Sequence, residues 1–202
     1  MKRMSNKNNS CLCEEGALPD EAVSATRRRL LGRESTALAK TAPGIESTMK
    51  HHWKNPLTLY YIANWFYRHH VPLLPGLFQW TLFFLFGASI PYRATIGPYC
   101  QIAHGGNGIV IHPHARIGRN VYICHQVTVG GTGMTSEVPV IGDDVYLGAG
   151  AKILGPIIIG HNSAIGSNAV VVKPVPPRCV AAGVPARIIK ENIDAHDVEI
   201  WM

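Results

Sequence analysis

Charge is scarce in this sequence. Asp, Glu, Lys and Arg make up 16% of the 202 residues, against 47% hydrophobic. That balance excludes a chain disordered throughout, and the length suits one core with appendages or a small domain followed by a larger one. A disulfide framework is absent: the five cysteines, Cys11, Cys13, Cys100, Cys124 and Cys179, are odd in number and irregularly spaced. The Cys11-Leu12-Cys13 pair has no second pair to complete a metal site, so it reads as a solvated tail pair and no bound metal is expected. Met1 to Ser10 is polar and basic with no apolar core after it; no secretory signal is visible, and a reducing cytoplasm is the default expectation. A membrane-length apolar run is missing too. The most apolar stretch, Leu73 to Ala88, is short and interrupted by Pro75, Gly76 and Gln79. Concentrated positive charge is also lacking. The net charge of +6 and pI near 9.2 favour anionic partners. The basic residues are scattered, however, and Arg27-Arg28-Arg29 is the only tight run. No nucleic acid is therefore expected, and a phosphate-bearing cofactor is favoured.

What is present divides the chain. Residues 1–50 are polar, without sustained period, and read as a disordered or loosely helical lead in which Glu21 to Leu31 forms a short basic helix. Residues 51–88 read as an α-helical region. Leu57 to His70 offers a helical face, Pro72 and Pro75-Gly76 break it, and Leu77 to Phe86 resumes as a very apolar helix. These helices are expected to pack on a core or a neighbouring subunit. The alternative is a peripheral contact at the inner face of the membrane through Trp65, Trp80 and Arg68-His69-His70.

From Ile96 a different period governs. Aliphatic residues stand at Ile96, Ile102, Ile111, Ile117, Ile123, Val129, Ile141, Leu147, Ile153, Ile159, Ile165 and Val171. The step is six, apart from longer steps at 102–111 and 129–141. Four residues after most of these sites stands a second small or aliphatic side chain, from Cys100 to Val175, and glycine often follows the aliphatic site directly. Six is neither a helix period nor a simple alternation. Short strands joined by glycine-assisted turns, stacked so that aliphatic ladders fill a coil, satisfy it. Residues 89–190 are assigned to this coil and 191–202 to a C-terminal tail.

In these residues the sequence resembles the hexapeptide-repeat acetyltransferases, which implies a mainly β fold, a left-handed parallel β-helix, behind the short helical region. Within that group it is similar to serine acetyltransferases. Val127 to Gly133 (VTVGGTG), Gly148 to Gly155 (GAGAKILG), Pro174 to Pro177 (PVPP) and Ala181 to Arg187 (AAGVPAR) carry the likeness. The loop Ala103 to Pro113 looks more like variants from polysaccharide-biosynthesis clusters. The resemblance implies an O-acetyltransferase with acetyl-CoA as co-substrate and a homotrimer with sites shared between neighbours.

Acetyl transfer to an alcohol needs a base, oxyanion donors and a groove for the carrier. The family's catalytic histidine falls on His104, which ends a repeat where the long step begins. His125 stands near the same face one or two coils on and either touches substrate or is a plain solvent-facing corner. His112 and His114 are rivals, and a reactive Cys124 is judged a turn or in-facing residue. Gly130, Gly131, Thr132, Ala149, Gly150 and Ala151 match the family's cofactor wall, and Lys152, Arg187 and Lys190 are candidates for the CoA phosphates or simply surface charges. The departures are several. Ala103 stands where an aspartate precedes the base, Ser89 near where a second aspartate orients it, and Glu137-Val138 near an Arg-His pair that holds serine. No partner for the serine amine is found in His52 to Pro56. The expected acceptor is therefore a sugar hydroxyl in capsule or exopolysaccharide synthesis. The alternatives are serine in cysteine biosynthesis, a non-catalytic scaffold, or a metal-using relative of the fold. No complex with cysteine synthase is expected, because Trp201-Met202 follows Ile200 where the family ends in isoleucine.

Overall fold

The computed structural model describes residues 55–133 and 137–193. The expectations for the lead, the Glu21–Leu31 helix, Cys11-Cys13 and the chain end beyond residue 193 lie outside the described residues.

Two helices come first, α1 (Pro56–Arg68) and α2 (Leu74–Phe86). Asn55 caps α1, its side-chain oxygen accepting from the Leu57 amide at 3.0 Å. The sequence expectation stopped helix at Pro75-Gly76, yet α2 runs through both. Pro75 lies in its first turn, where its missing N–H costs no helical hydrogen bond.

Among the described residues fourteen short strands follow, and all but the last pair in parallel. One face of the solenoid is β1 (Thr95–Ile96), β4 (Arg116–Ile117), β7 (Val140–Ile141) and β10 (Ile158–Ile159). The second is β2 (Gln101–Ile102), β5 (Tyr122–Ile123), β8 (Tyr146–Leu147), β11 (Ala164–Ile165), β13 (Val180–Gly183) and β14 (Ala186–Lys190). The third is β3 (Val110–Ile111), β6 (Thr128–Gly130), β9 (Lys152–Leu154) and β12 (Val170–Val171). The chain visits the three faces in turn, through about four turns of a parallel β-solenoid preceded by two helices. Like pairs with like: Ile117 faces Ile141, Ile123 faces Leu147, and Val129 faces Ile153. These side chains are essentially inaccessible, and each contributes roughly 1.5–3 kcal/mol of burial.

The corners explain the remaining residue choices. Asn120, Asp144 and Asn162 take left-handed backbone, φ 52°, 55° and 53°, at successive corners between the first and second faces. Asn and Asp tolerate that region better than most residues. The Asp144 amide donates to the Arg119 carbonyl and the Asn162 amide to the Asp143 carbonyl, both at 3.0 Å, so each corner stacks on the last. At Gly148 a Cβ would stand 2.6 Å from the Ser167 amide nitrogen, and only glycine permits the coils to come that close.

Both ends of the stack are closed. The Tyr60 hydroxyl donates to the Ala94 carbonyl (2.6 Å) and accepts from the Ile96 amide (3.2 Å), while the Tyr61 hydroxyl donates to the Gly97 carbonyl (2.7 Å). Burial pushes both phenols well above their ordinary range, so they remain neutral donors. At the far end β14 folds back antiparallel onto β13.

Candidate active site

The long step after Ile102 becomes a 3-10 turn, Ala103–Gly106, at the corner between the second and third faces. His104 sits in it, exposed, with φ 51° and ψ 36°. Left-handed backbone recurs at the solenoid's corners, as at Asn120, Gln126 and Asp144, and histidine is among the residues that adopt it more readily. Gly105, Gly106 and Gly108 share the left-handed backbone, which the side-chain-free residues supply at little cost. The loop is stitched to its surroundings. The Gly108 amide donates to the Gly87 carbonyl at the end of α2 (3.0 Å), and the Gln126 amide on the next coil donates to the Asn107 carbonyl (2.8 Å). A Cβ on Gly105 would stand 3.8 Å from the Phe86 ring, and one on Gly106 3.1 Å from Pro56. Both helices therefore hold the turn that presents His104. Sequence reasoning missed this support, since neither Phe86 nor Pro56 belongs to the six-residue period.

His125 occupies the same corner one coil on. The two imidazoles meet edge to face, centroids 5.1 Å apart at 89°. Nδ1 of His125 is buried and has no hydrogen-bond partner among the described residues. No Asp or Glu stands between Glu46 and Glu137, so no carboxylate from the first two coils orients either ring. Ser89, near the place expected for an orienting aspartate, instead bridges to Val110 through its backbone. Cys124 is buried, its thiol donating toward the Tyr146 hydroxyl at 3.4 Å, which leaves it a packing residue. His112 and His114 pair at a different corner, rings 5.4 Å apart. Among the described residues no group of three or more His, Cys, Asp or Glu is placed to hold a metal ion.

The nine cofactor candidates fall in four places. Ala149, Gly150 and Ala151 form the corner one coil beyond His125. The Ala151 side chain turns into the core, its amide donates to Gly148 and its carbonyl accepts from Thr128, so it has no group facing outward. Gly130, Gly131 and Thr132 lie at the far end of β6, across the third face. A Cβ on Gly130 would meet no atom within 4 Å, so the surface beside it is uncrowded, while its carbonyl accepts from the Gly155 amide at 3.0 Å within the β6–β9 ladder. Lys152, on β9 between the two groups, donates from Nζ to the Gln126 carbonyl at 2.6 Å. Arg187 and Lys190 are exposed on β14, five strand spacings from β2, or about 24 Å along the axis. They reach only a ligand extended along the solenoid.

Comparison with known proteins agrees with this fold. A model of the bacterial transferase hexapeptide (six repeats) family matches residues 139–173. The chain is 44% identical over 133 residues to the serine acetyltransferase of Mycobacterium tuberculosis, covering 65% of this chain and 58% of that protein. It superposes on serine acetyltransferase from Brucella abortus in complex with coenzyme A with TM-score 0.62 and 37% identity, covering 67% of this chain and 54% of that one. A serine acetyltransferase complex with cysteine gives TM-score 0.62 and 31% identity over 84% of this chain and 74% of that chain. The β-solenoid with its hexapeptide ladder thus defines a hexapeptide-repeat transferase. More narrowly, the chain belongs to the serine acetyltransferase family. It spans less than two thirds of the length of its first curated relatives. These relatives correct the expectation of a polysaccharide acceptor. That reading rested on the Ala103–Pro113 loop and the missing carboxylates, but relatives 36–45% identical across the same solenoid are serine acetyltransferases.

Proposed function

We propose that this protein is a serine O-acetyltransferase, moving the acetyl group of acetyl-CoA to the serine hydroxyl, with His104 as general base. The facing pair His104–His125, held where the solenoid is interrupted, carries the reading, and the family relationship supplies the reaction class. Acetyl-CoA supplies an electrophilic thioester carbonyl. His104 takes the serine hydroxyl proton at a ring nitrogen as the oxygen bonds to the carbonyl carbon. It returns that proton to the departing sulfur as the carbon–sulfur bond breaks, so the enzyme ends unchanged. His125, whose ring meets that of His104 edge to face, is assigned to contact the acceptor. The uncrowded surface beside Gly130, continued by Gly131 and Thr132, is assigned to a pantetheine arm, with Ala149 and Gly150 along its path and Lys152, Arg187 and Lys190 toward phosphates. Ala151 drops out of the wall. The assembly is assigned as a homotrimer acting in the cytoplasm, and light scattering that returns the 22.0 kDa of one chain would exclude the shared site.

The test is thiol release from acetyl-CoA in the presence of serine. His104→Ala lowers kcat by about 10²–10⁴-fold with little change in CoA affinity. Turnover retained within a few fold would place the base elsewhere. Wild-type activity absent with serine would reject the acceptor.

A further inference from the structure

The helical region carries an apolar surface that the described fold leaves uncovered. α2 buries Pro75 and Leu82, while Leu73, Leu77, Trp80 and Phe84 stand 89, 61, 64 and 72% exposed. Leu77, Trp80 and Phe84 fall on one stripe of the helix, Leu73 stands at its N-cap, and Phe83 and Leu85, 54 and 69% exposed, widen the apolar surface. Trp80 and Phe84 stack upon each other at 5.3 Å. Contiguous apolar surface of this kind marks a protein or membrane contact.

Charge decides between the occupants. Between Glu46 and Glu137 every charged residue is positive: Lys50, Lys54, Arg68, Arg93, Arg116 and Arg119. Residues 71–92 carry no charge, and Arg68 with His69-His70 stands before them and Arg93 just after. The Arg93 guanidinium lies 5.9 Å from the ring centroids of both Tyr67 and Tyr92, at the base of the helical pair. A two-fold contact through this stripe would bring Arg68 and Arg93 toward their own counterparts, with no carboxylate in this region to pair them; a trimer closes through heterologous contacts instead, and the assembly mass of the stripe variants reads whether the stripe belongs to one. The sequence before Trp53 contains no aromatic residue to match the stripe. An anionic lipid surface satisfies both the apolar stripe and its cationic flanks. No helix among the described residues is long and apolar enough to cross a membrane. We propose that α2 seats the Leu73–Leu77–Trp80–Phe84 stripe at the headgroup boundary of an anionic bilayer, with Arg68 and Arg93 on lipid phosphates. The Gly87–Gly108 hydrogen bond then holds the His104 loop close to that surface. The inference does not depend on the identity of the acceptor.

The full chain is sedimented with vesicles of phosphatidylcholine alone and of phosphatidylcholine mixed with phosphatidylglycerol. The mixed vesicles bind about tenfold more, and the excess falls as salt rises. Arg68→Gln with Arg93→Gln lowers binding to the phosphatidylcholine level, and Trp80→Ser with Phe84→Ser abolishes it at an unchanged melting temperature. Should that last pair melt early, Leu73→Ser with Leu77→Ser reads the same surface. Absent binding, equal binding to both vesicles, or wild-type binding by the stripe variants overturns the proposal. A fall in assembly mass in the stripe variants, without vesicle binding by the wild type, assigns the face to a second copy instead.

Discussion

Gly106→Ala tests whether the helices position the loop that carries His104. Gly106 has φ +76°, and a Cβ there would stand 3.0 Å from Ile102 Cγ2 and 3.1 Å from Pro56 Cγ. Two costs follow. Left-handed backbone costs alanine about 1–2 kcal/mol. Forcing the α1 start away from the loop adds about 1–3 kcal/mol of overpacking. Gly133→Ala isolates the first cost, since its φ is +78° and a Cβ meets no atom within 4 Å. At roughly 2–4 °C per kcal/mol for a domain of this size, Gly106→Ala melts about 2–12 °C below Gly133→Ala. The functional loss is larger in proportion, because a displacement of about 1 Å at a catalytic group costs on the order of 100-fold in rate. Differential scanning fluorimetry and steady-state thiol release on both variants make the comparison. Melting points within 2 °C of each other (roughly the smallest shift the overpacking cost allows), with kcat within a few fold, would show that the loop does not depend on its contact with α1.

Ile153→Ala, in the third coil at 0% exposure, costs about 2–5 kcal/mol in chemical denaturation while leaving the site's residues in place. Cys100 gives a pH signature: burial pushes its thiol up to about 12. The unfolded thiol loses its proton first, so the stabilisation is full below about pH 8.5 and is lost as pH rises toward 12. Denaturation midpoints falling across that window in wild type, and falling less in Cys100→Ala, check the sign. Cys100 in the native protein also resists alkylation at pH 8 by mass spectrometry, and rapid labelling there would contradict its burial.

The solenoid was legible because its core is one-dimensional. Every aliphatic site of the six-residue period is buried except Ile102, which is only partly covered where the chain leaves the coil to present His104. The second set, from Cys100 through Ser163 to Val175, is buried throughout. Stacking only on neighbours leaves the period intact in sequence. The two long steps marked loops for the same reason. What depends on contacts outside the ladder was not legible. Tyr60 and Tyr61 gave no sign that their hydroxyls would close the first coil. Ala151 matched a motif but faces inward, since the same small residue serves a core ladder and a glycine-rich wall. The sequence distance between His104 and His125 does not show that their rings touch. That follows only from one coil lying directly on another. Acceptor recognition was misjudged because absent carboxylates were weighed above the body of the solenoid.

The closed ends bear on how this protein stays a discrete particle. A stack of parallel strands exposes unpaired backbone at its first and last turns, and any second molecule can add to either edge and present a fresh edge in turn. Growth of that kind has no natural stop and yields a fibre. Here the tyrosine hydroxyls occupy carbonyls and an amide around β1, and the reversed β14 offers the last turn of its face an antiparallel partner from the same chain. Replacing Tyr60 and Tyr61 by phenylalanine keeps the rings but frees these groups. Leaving them unsatisfied costs about 1–3 kcal/mol apiece, and the expected outcome is a shift toward end-to-end polymer, read as a rise in assembly mass by light scattering.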